Sequence, residues 1–189
     1  MNNKDKEQIW FHEFGHLVMH RILCKRKYPD QKVQCMCVDS DYGSTTFHAP
    51  KKAKEIVVYD ECLLTAGGIA MECIVYNKCF YPTGEGAYKI NDVSSILNAC
   101  KERELMKKYI LTLRKTKYNI TFDQLLSKEE DLILKKIVGR AIGMIRKKPE
   151  IIKLGYKYFE ENKNLKLIRG KRLNQIIDEV DKLLSKHKK

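Results

Sequence analysis

His12-Glu13-Phe14-Gly15-His16 is the segment of this chain whose residue types and spacing define a chemistry. It reads HExxH. Histidines four apart on a helix lie one turn apart on the same face, so both imidazoles can reach a single ion. The glutamate after the first histidine sits beside that ion, where its carboxylate can take a proton from water. Zinc suits such a pair. Imidazole nitrogens bind it, it is redox-inert, and it lowers the pKa of a bound water to about 7. The expected cofactor is Zn2+, about one ion per chain.

The motif works only on a helix, and its flanks predict one from about Asp5 to Lys25. Ile9, Trp10, Phe14, Leu17, Val18, Ile22 and Leu23 recur at roughly helical spacing, and no proline precedes Pro29. A glutamate between two histidines inside such an apolar helix would be costly without a metal or hydrogen-bonding partners.

HExxH supplies two protein ligands, whereas a catalytic zinc usually takes three and a water. His20 lies one turn beyond His16 on the same face. Three ligands in a row along a straight helix cannot converge on one ion, so His20 is expected to be packed or to support a ligand. Glu61 and Glu72, on a following helix, are candidate third ligands. The extended pattern HExxHxxGxxH is absent.

Other elements must position these groups. Lys32–Val38 and Ser44–His48 read as a β-hairpin around the turn Asp39-Ser40-Asp41-Tyr42-Gly43. Residues from about Lys52 to Asn77 read as a helix, in whose middle Gly67-Gly68 implies close packing against the motif helix. A Gly- and Pro-bearing loop, Phe80–Asn91, leads into a helix over Asp92–Tyr118. Ser127-Lys128-Glu129-Glu130 reads as a capping box. Helices to about Lys147, over Pro149–Asn162 and over Arg172–Leu184 follow, then a frayed tail, Lys186–Lys189. The expected class is mainly α with a small β-hairpin or sheet. The expected organisation is one domain over 1–185, divided into a metal-site half, 1–100, and a basic helical half, 101–185.

The net charge of +13 belongs wholly to residues 101–189, where 25 basic residues face 12 acidic ones. Such a half can meet nucleic acid, anionic lipid or acidic proteins. Its lysines are interleaved with glutamates, however, and no aromatic-interleaved basic stripe or recognised nucleic-acid motif occurs. A solvated surface is expected, with no nucleic-acid partner.

Seven cysteines, no apolar leader before the motif helix and no apolar run near the ~20 residues of a membrane span predict a cytoplasmic chain with reduced thiols. Cys35 and Cys37 should point to one face of a strand. A CxC metal pair there would have no second half at zinc-finger spacing.

Several ordered segments resemble the peptidase domain of the FtsH-type AAA zinc proteases. His12–Val18 is similar to that family's HEAGHALV, with Phe14 in place of a small residue. Gly43-Ser44-Thr45-Thr46-Phe47-His48-Ala49-Pro50 resembles its G-x-T strand. Ala66–Glu72 resembles its GGRxAEE helix, with Gly68 in place of the arginine. Gly86–Val93 resembles its TGAxxDL segment, with extra residues before Asn91. The closing helices also follow the family, so the resemblance spans nearly the whole chain. No GxxxxGK[ST] occurs, so the ATPase is not part of it.

The resemblance implies a zincin-like helical metalloprotease with Asp92 as third ligand. Asp92 stands at a helix start, where a carboxylate is also favoured as a simple N-cap. Glu72 would hold a ligating histidine from behind or sit in a helix–helix ion pair. Gly43, Ser44, Thr45, Thr46 and Phe47 would receive an extended protein or peptide substrate by strand addition. The expected activity is ATP-independent zinc endopeptidase action on unfolded or exposed segments, with Glu13 as general base. A homo-oligomer is a further implication. The competing class is a catalytically silent zinc-binding adaptor on the same scaffold, and the intact Glu13 argues against it.

Overall fold

Helix α1 (Asn3–Lys27) forms the axis of the molecule. The computed structural model describes residues 3–39, 42–51, 53, 54, 56–77 and 128–185. Every residue from Gln8 to His20 is buried, including both motif histidines and Glu13. The helix is covered all round, because α2 runs along it, the sheet lies across it, and helices from the second half close the remaining sides. That is possible for a helix bearing Gln8, His12, Glu13 and His16 only if each polar group finds a partner.

Strands β1 (Lys32–Val38) and β2 (Gly43–His48) form the expected hairpin, β2 beginning one residue earlier than Ser44. Antiparallel pairing places Val33 opposite Phe47, Met36 opposite Thr45 and Val38 opposite Gly43. A register shift between Val33 and Cys35 keeps these pairs on one face, which is turned toward α1. Cys35 and Cys37 share the other face, opposite Thr46 and Ser44. A third strand, β3 (Leu167–Arg169), pairs with the far side of β1 and gives the order β2-β1-β3. β2 is therefore an edge strand among the described residues.

Helix α2 (Val58–Val75) starts later than the Lys52 predicted from apolar spacing. Val57, just before it, is extended and tied down. The Tyr28 hydroxyl accepts from the Val57 N–H at 3.2 Å and donates to Asp60 Oδ2 at 2.8 Å, with Lys27 Nζ 3.1 Å from the same oxygen. Asp60 thus enters the first helical turn already paired, where the helix dipole favours its charge. The glycines expected to permit close packing do so. A Cβ on Gly67 would lie 2.7 Å from the Gly15 carbonyl oxygen and 2.8 Å from Met19 Cβ, so α1 and α2 meet backbone to backbone.

Helices α3 (Lys128–Arg146), α4 (Glu150–Asn162) and α5 (Gly170–Ser185) stand close to where the sequence places them. Trp10 Nε1–H donates to the Gly155 carbonyl at 3.0 Å, fixing α4 against α1. Phe14 stacks on Trp10, and a Cβ on Gly155 would come within 3.0 Å of its ring. The bulky residue inside the motif is accommodated by a glycine on the crossing helix. Arg21 holds Asp181 of α5 through two bonds of 2.9 Å. Gly170 turns the chain from β3 into α5 at φ +60°, a conformation that favours glycine. Apolar side chains from α1, β1, α2, α3, α4, β3 and α5 form one core cluster. The molecule is mainly helical with a small antiparallel sheet. No described helix is long and apolar enough to cross a membrane.

The expected Asp92–Tyr118 helix, the Ser127 cap, Cys79, Cys100 and the 186–189 tail lie outside the described residues. Cys24, Cys35, Cys37, Cys62 and Cys73 are free thiols.

Candidate metal centre

The two motif histidines present their rings 4.9 Å apart, centroid to centroid, and nearly perpendicular. Each ring is anchored at Nδ1 by an oxygen acceptor on α2. His12 Nδ1 lies 2.5 Å from Glu72 Oε1, and the other Glu72 oxygen accepts from Gln8 Nε2 at 2.7 Å. His16 Nδ1 lies 2.9 Å from the Leu64 carbonyl oxygen. A carbonyl can only accept, so His16 carries its proton on Nδ1. The Glu72 carboxylate, already accepting from Gln8, assigns the same tautomer to His12. With that tautomer, a neutral ring keeps its lone pair on Nε2, which is the form an imidazole needs to ligate zinc. Two such nitrogens are of the donor type zinc takes, and supply two of the ligands it needs.

Gly68 packs on the face of the His12 ring. A Cβ there would stand 2.6 Å from Nε2 and 2.7 Å from both neighbouring ring carbons. The arginine of the resembling helix motif would overlap the imidazole at this position.

Glu13 points from the adjacent face of α1 toward β2. The Thr45 hydroxyl donates to Glu13 Oε2 at 2.7 Å and lies 3.1 Å from the Glu13 carbonyl. Gly43 lies against the second oxygen, since a Cβ on it would stand 2.5 Å from Oε1. Of the proposed substrate strand, Gly43 and Thr45 therefore face Glu13, and Phe47 stacks on His20 at 4.8 Å. Ser44 and Thr46 share the opposite face with Cys37 and Cys35. The Cys37 thiol is pushed up by burial first, then by Asp39, Cys35 and Glu13.

His20 is packed, as its position predicted. It is fully buried, and neither ring nitrogen has a hydrogen-bond partner among the described residues. Its pKa falls to about 4, chiefly through desolvation and then the Arg21 charge, with Asp181 opposing.

Of the other sequence candidates, Glu72 lies behind His12. Glu61 is half-buried on α2, its backbone carbonyl accepting from the Thr65 hydroxyl at 3.0 Å. Asp92 lies outside the described residues, and among these no group of three or more His, Cys, Asp or Glu side chains could hold a metal ion. Two contributors escaped the sequence reading. Gln8 stands four residues before His12, so helical spacing puts it on the same face and could have flagged it. The Leu64 carbonyl is backbone and leaves no trace in residue type. Compared with models of known protein families and with curated protein sequences, the chain matches none.

Proposed function

We propose that this chain is a zinc-dependent endopeptidase of the kind its resemblance to the FtsH-type peptidase domain implies. The observation that carries the reading is the pair of motif imidazoles, each anchored through Nδ1 by an acceptor on α2, with the Glu13 carboxylate beside them. A structural histidine pair has no need of two matched tautomers and a neighbouring buried glutamate.

His12 and His16 would hold zinc through Nε2, and Asp92 is the third ligand that the resemblance implies. The Glu72 carboxylate meets His12 at Nδ1, which favours an orienting role over ligation for that residue. Zinc, when bound, supplies Lewis-acid polarisation of the scissile carbonyl and acidifies water. Glu13 removes the proton from the attacking water and returns it to the leaving amine. Thr45 keeps that carboxylate in place through the transfer. The edge strand β2 offers backbone groups to an extended peptide, which supports unfolded or exposed segments as the substrate class.

The test is digestion of a casein-like unfolded protein without ATP. Cleavage that is lost on chelation and restored by zinc supports the peptidase. Retained zinc with no cleavage of any unfolded substrate would favour the adaptor.

A further inference from the structure

The general base of an HExxH site is usually considered a property of its own helix. Here two of the residues that touch the Glu13 carboxylate come from β2. Thr45 donates to one oxygen at 2.7 Å. Gly43, two residues earlier on the same face of the strand, leaves the space that the other oxygen occupies, because a Cβ there would stand 2.5 Å from Oε1 and 2.7 Å from Ile9 Cγ2. Threonine supplies a short donor, and glycine supplies room.

We propose that Thr45 and Gly43 are positioning residues for Glu13, so that β2 takes part in setting the rotamer of the base. The inference rests on the peptidase reading for its catalytic consequence and on the geometry alone for its structural one. The Thr45 hydroxyl selects among the staggered positions open to a long carboxylate side chain. A donor to a charged acceptor contributes more than a neutral bond, and its loss removes that selection. Filling Gly43 acts from the other side. Two of the three atoms nearest that Cβ belong to the Glu13 side chain, so the carboxylate must shift, along with Ile9 Cγ2 beside it. The same strand is the one that an incoming peptide would pair with. Alignment of the base and seating of the substrate are thereby mechanically joined, and strain on β2 is felt at Glu13.

Crystal structures of the zinc-free wild type, Thr45→Ser, Thr45→Val and Gly43→Ala read the placement without any turnover. Thr45→Ser retains the donor and should leave the carboxylate where it is. Thr45→Val, nearly identical in shape, and Gly43→Ala should each displace it by about 1 Å, a misplacement large enough to matter for catalysis. A carboxylate unmoved in both Val and Ala variants would overturn the proposal. Kinetics of the zinc-loaded proteins give the second reading. Thr45→Val should lower kcat roughly 10–100-fold with KM nearly unchanged, and Thr45→Ser should restore it. An unchanged kcat in Thr45→Val, or a loss confined to KM, would also overturn it. A wild type that cleaves nothing would defeat the peptidase reading, while the crystal structures would still decide the positioning.

Discussion

The carboxylate of Glu72 meets His12 Nδ1 at 2.5 Å across the interface of two helices, joining residues far apart in the chain. Its second oxygen is held by Gln8, which stands one turn before His12 on the same helix. Gln8, Glu72 and His12 thus form a buried chain of hydrogen bonds that fixes the ring's orientation. Such a carboxylate raises the basicity of a ligating imidazole.

Glu72→Ala should therefore weaken zinc binding roughly 10–100-fold, the usual cost of losing the partner behind a ligating histidine. Competition against a chromophoric chelator measures it. Gln8→Ala should weaken it less, since Glu72 would still face the ring. Zinc affinity unaltered by both changes would remove Glu72 from the site.

His20 gives the fold a defined acid sensitivity. Its pKa falls from 6.5 to about 4, so the folded protein binds the proton less readily than the unfolded chain does. Its contribution is fully present above the unfolded pKa and is lost as pH falls through the folded one. Stability should drop between about pH 6.5 and 4 by an amount on the order of 3 kcal/mol. Urea titrations of the metal-free protein across that window should show the slope attributable to His20, and His20→Leu should flatten it. Leucine also removes two ring nitrogens that lack partners among the described residues, so the variant should be no less stable than wild type at pH 7.5.

The helix interface makes a glycine prediction with opposite signs. Gly67→Ala drives a methyl into the Gly15 carbonyl and Met19 Cβ, which are backbone or backbone-near atoms that cannot swing away. It should destabilise the protein by about 1–3 kcal/mol. Gly139, within α3, has nothing among the described residues within 4 Å of a built Cβ, so Gly139→Ala should stabilise by up to about 1 kcal/mol through helix propensity alone. Thermal unfolding of the two variants side by side checks both signs.

Thiol reactivity should follow burial. Cys24 and Cys62 are fully buried, with pKa values raised to about 11 and about 12 mainly by desolvation. Neither should react with iodoacetamide in the folded protein, while both should react in urea. Peptide mapping of labelled protein distinguishes them from half-buried Cys35 and Cys37. Rapid native labelling of Cys62 would contradict the packing of α2.

The parts of this architecture legible in the sequence are those that repeat. The motif helix, the hairpin and the three closing helices announce themselves through apolar spacing, and Gly67-Gly68 marks a close approach because glycine is otherwise unfavourable inside a helix. Short elements do not repeat enough to be seen. β3 has only the residues Leu167–Arg169, and it exists because β1 offers it an open edge. The late start of α2 is set by Tyr28 and Asp60, a tertiary bond that local periodicity cannot register. At the site, residue type identified His12, Glu13, His16 and the value of Glu72. The roles of Gln8, Thr45 and the Leu64 carbonyl depend on which faces α2 and β2 turn toward α1.

A Glu13 that acts as the base of a zinc peptidase leaves the metal's own ligands untouched. The most direct measurement compares wild type with Glu13→Gln for zinc content and for ATP-independent cleavage of an unfolded protein. Glutamine keeps the shape of the side chain and can still meet Thr45, but it cannot accept the water proton. Zinc content should stay at about one ion per chain in both. Cleavage in the variant should fall by roughly 10²–10⁴-fold, the usual contribution of general-base catalysis. A Glu13→Gln protein that holds zinc and cleaves as fast as wild type would contradict the account.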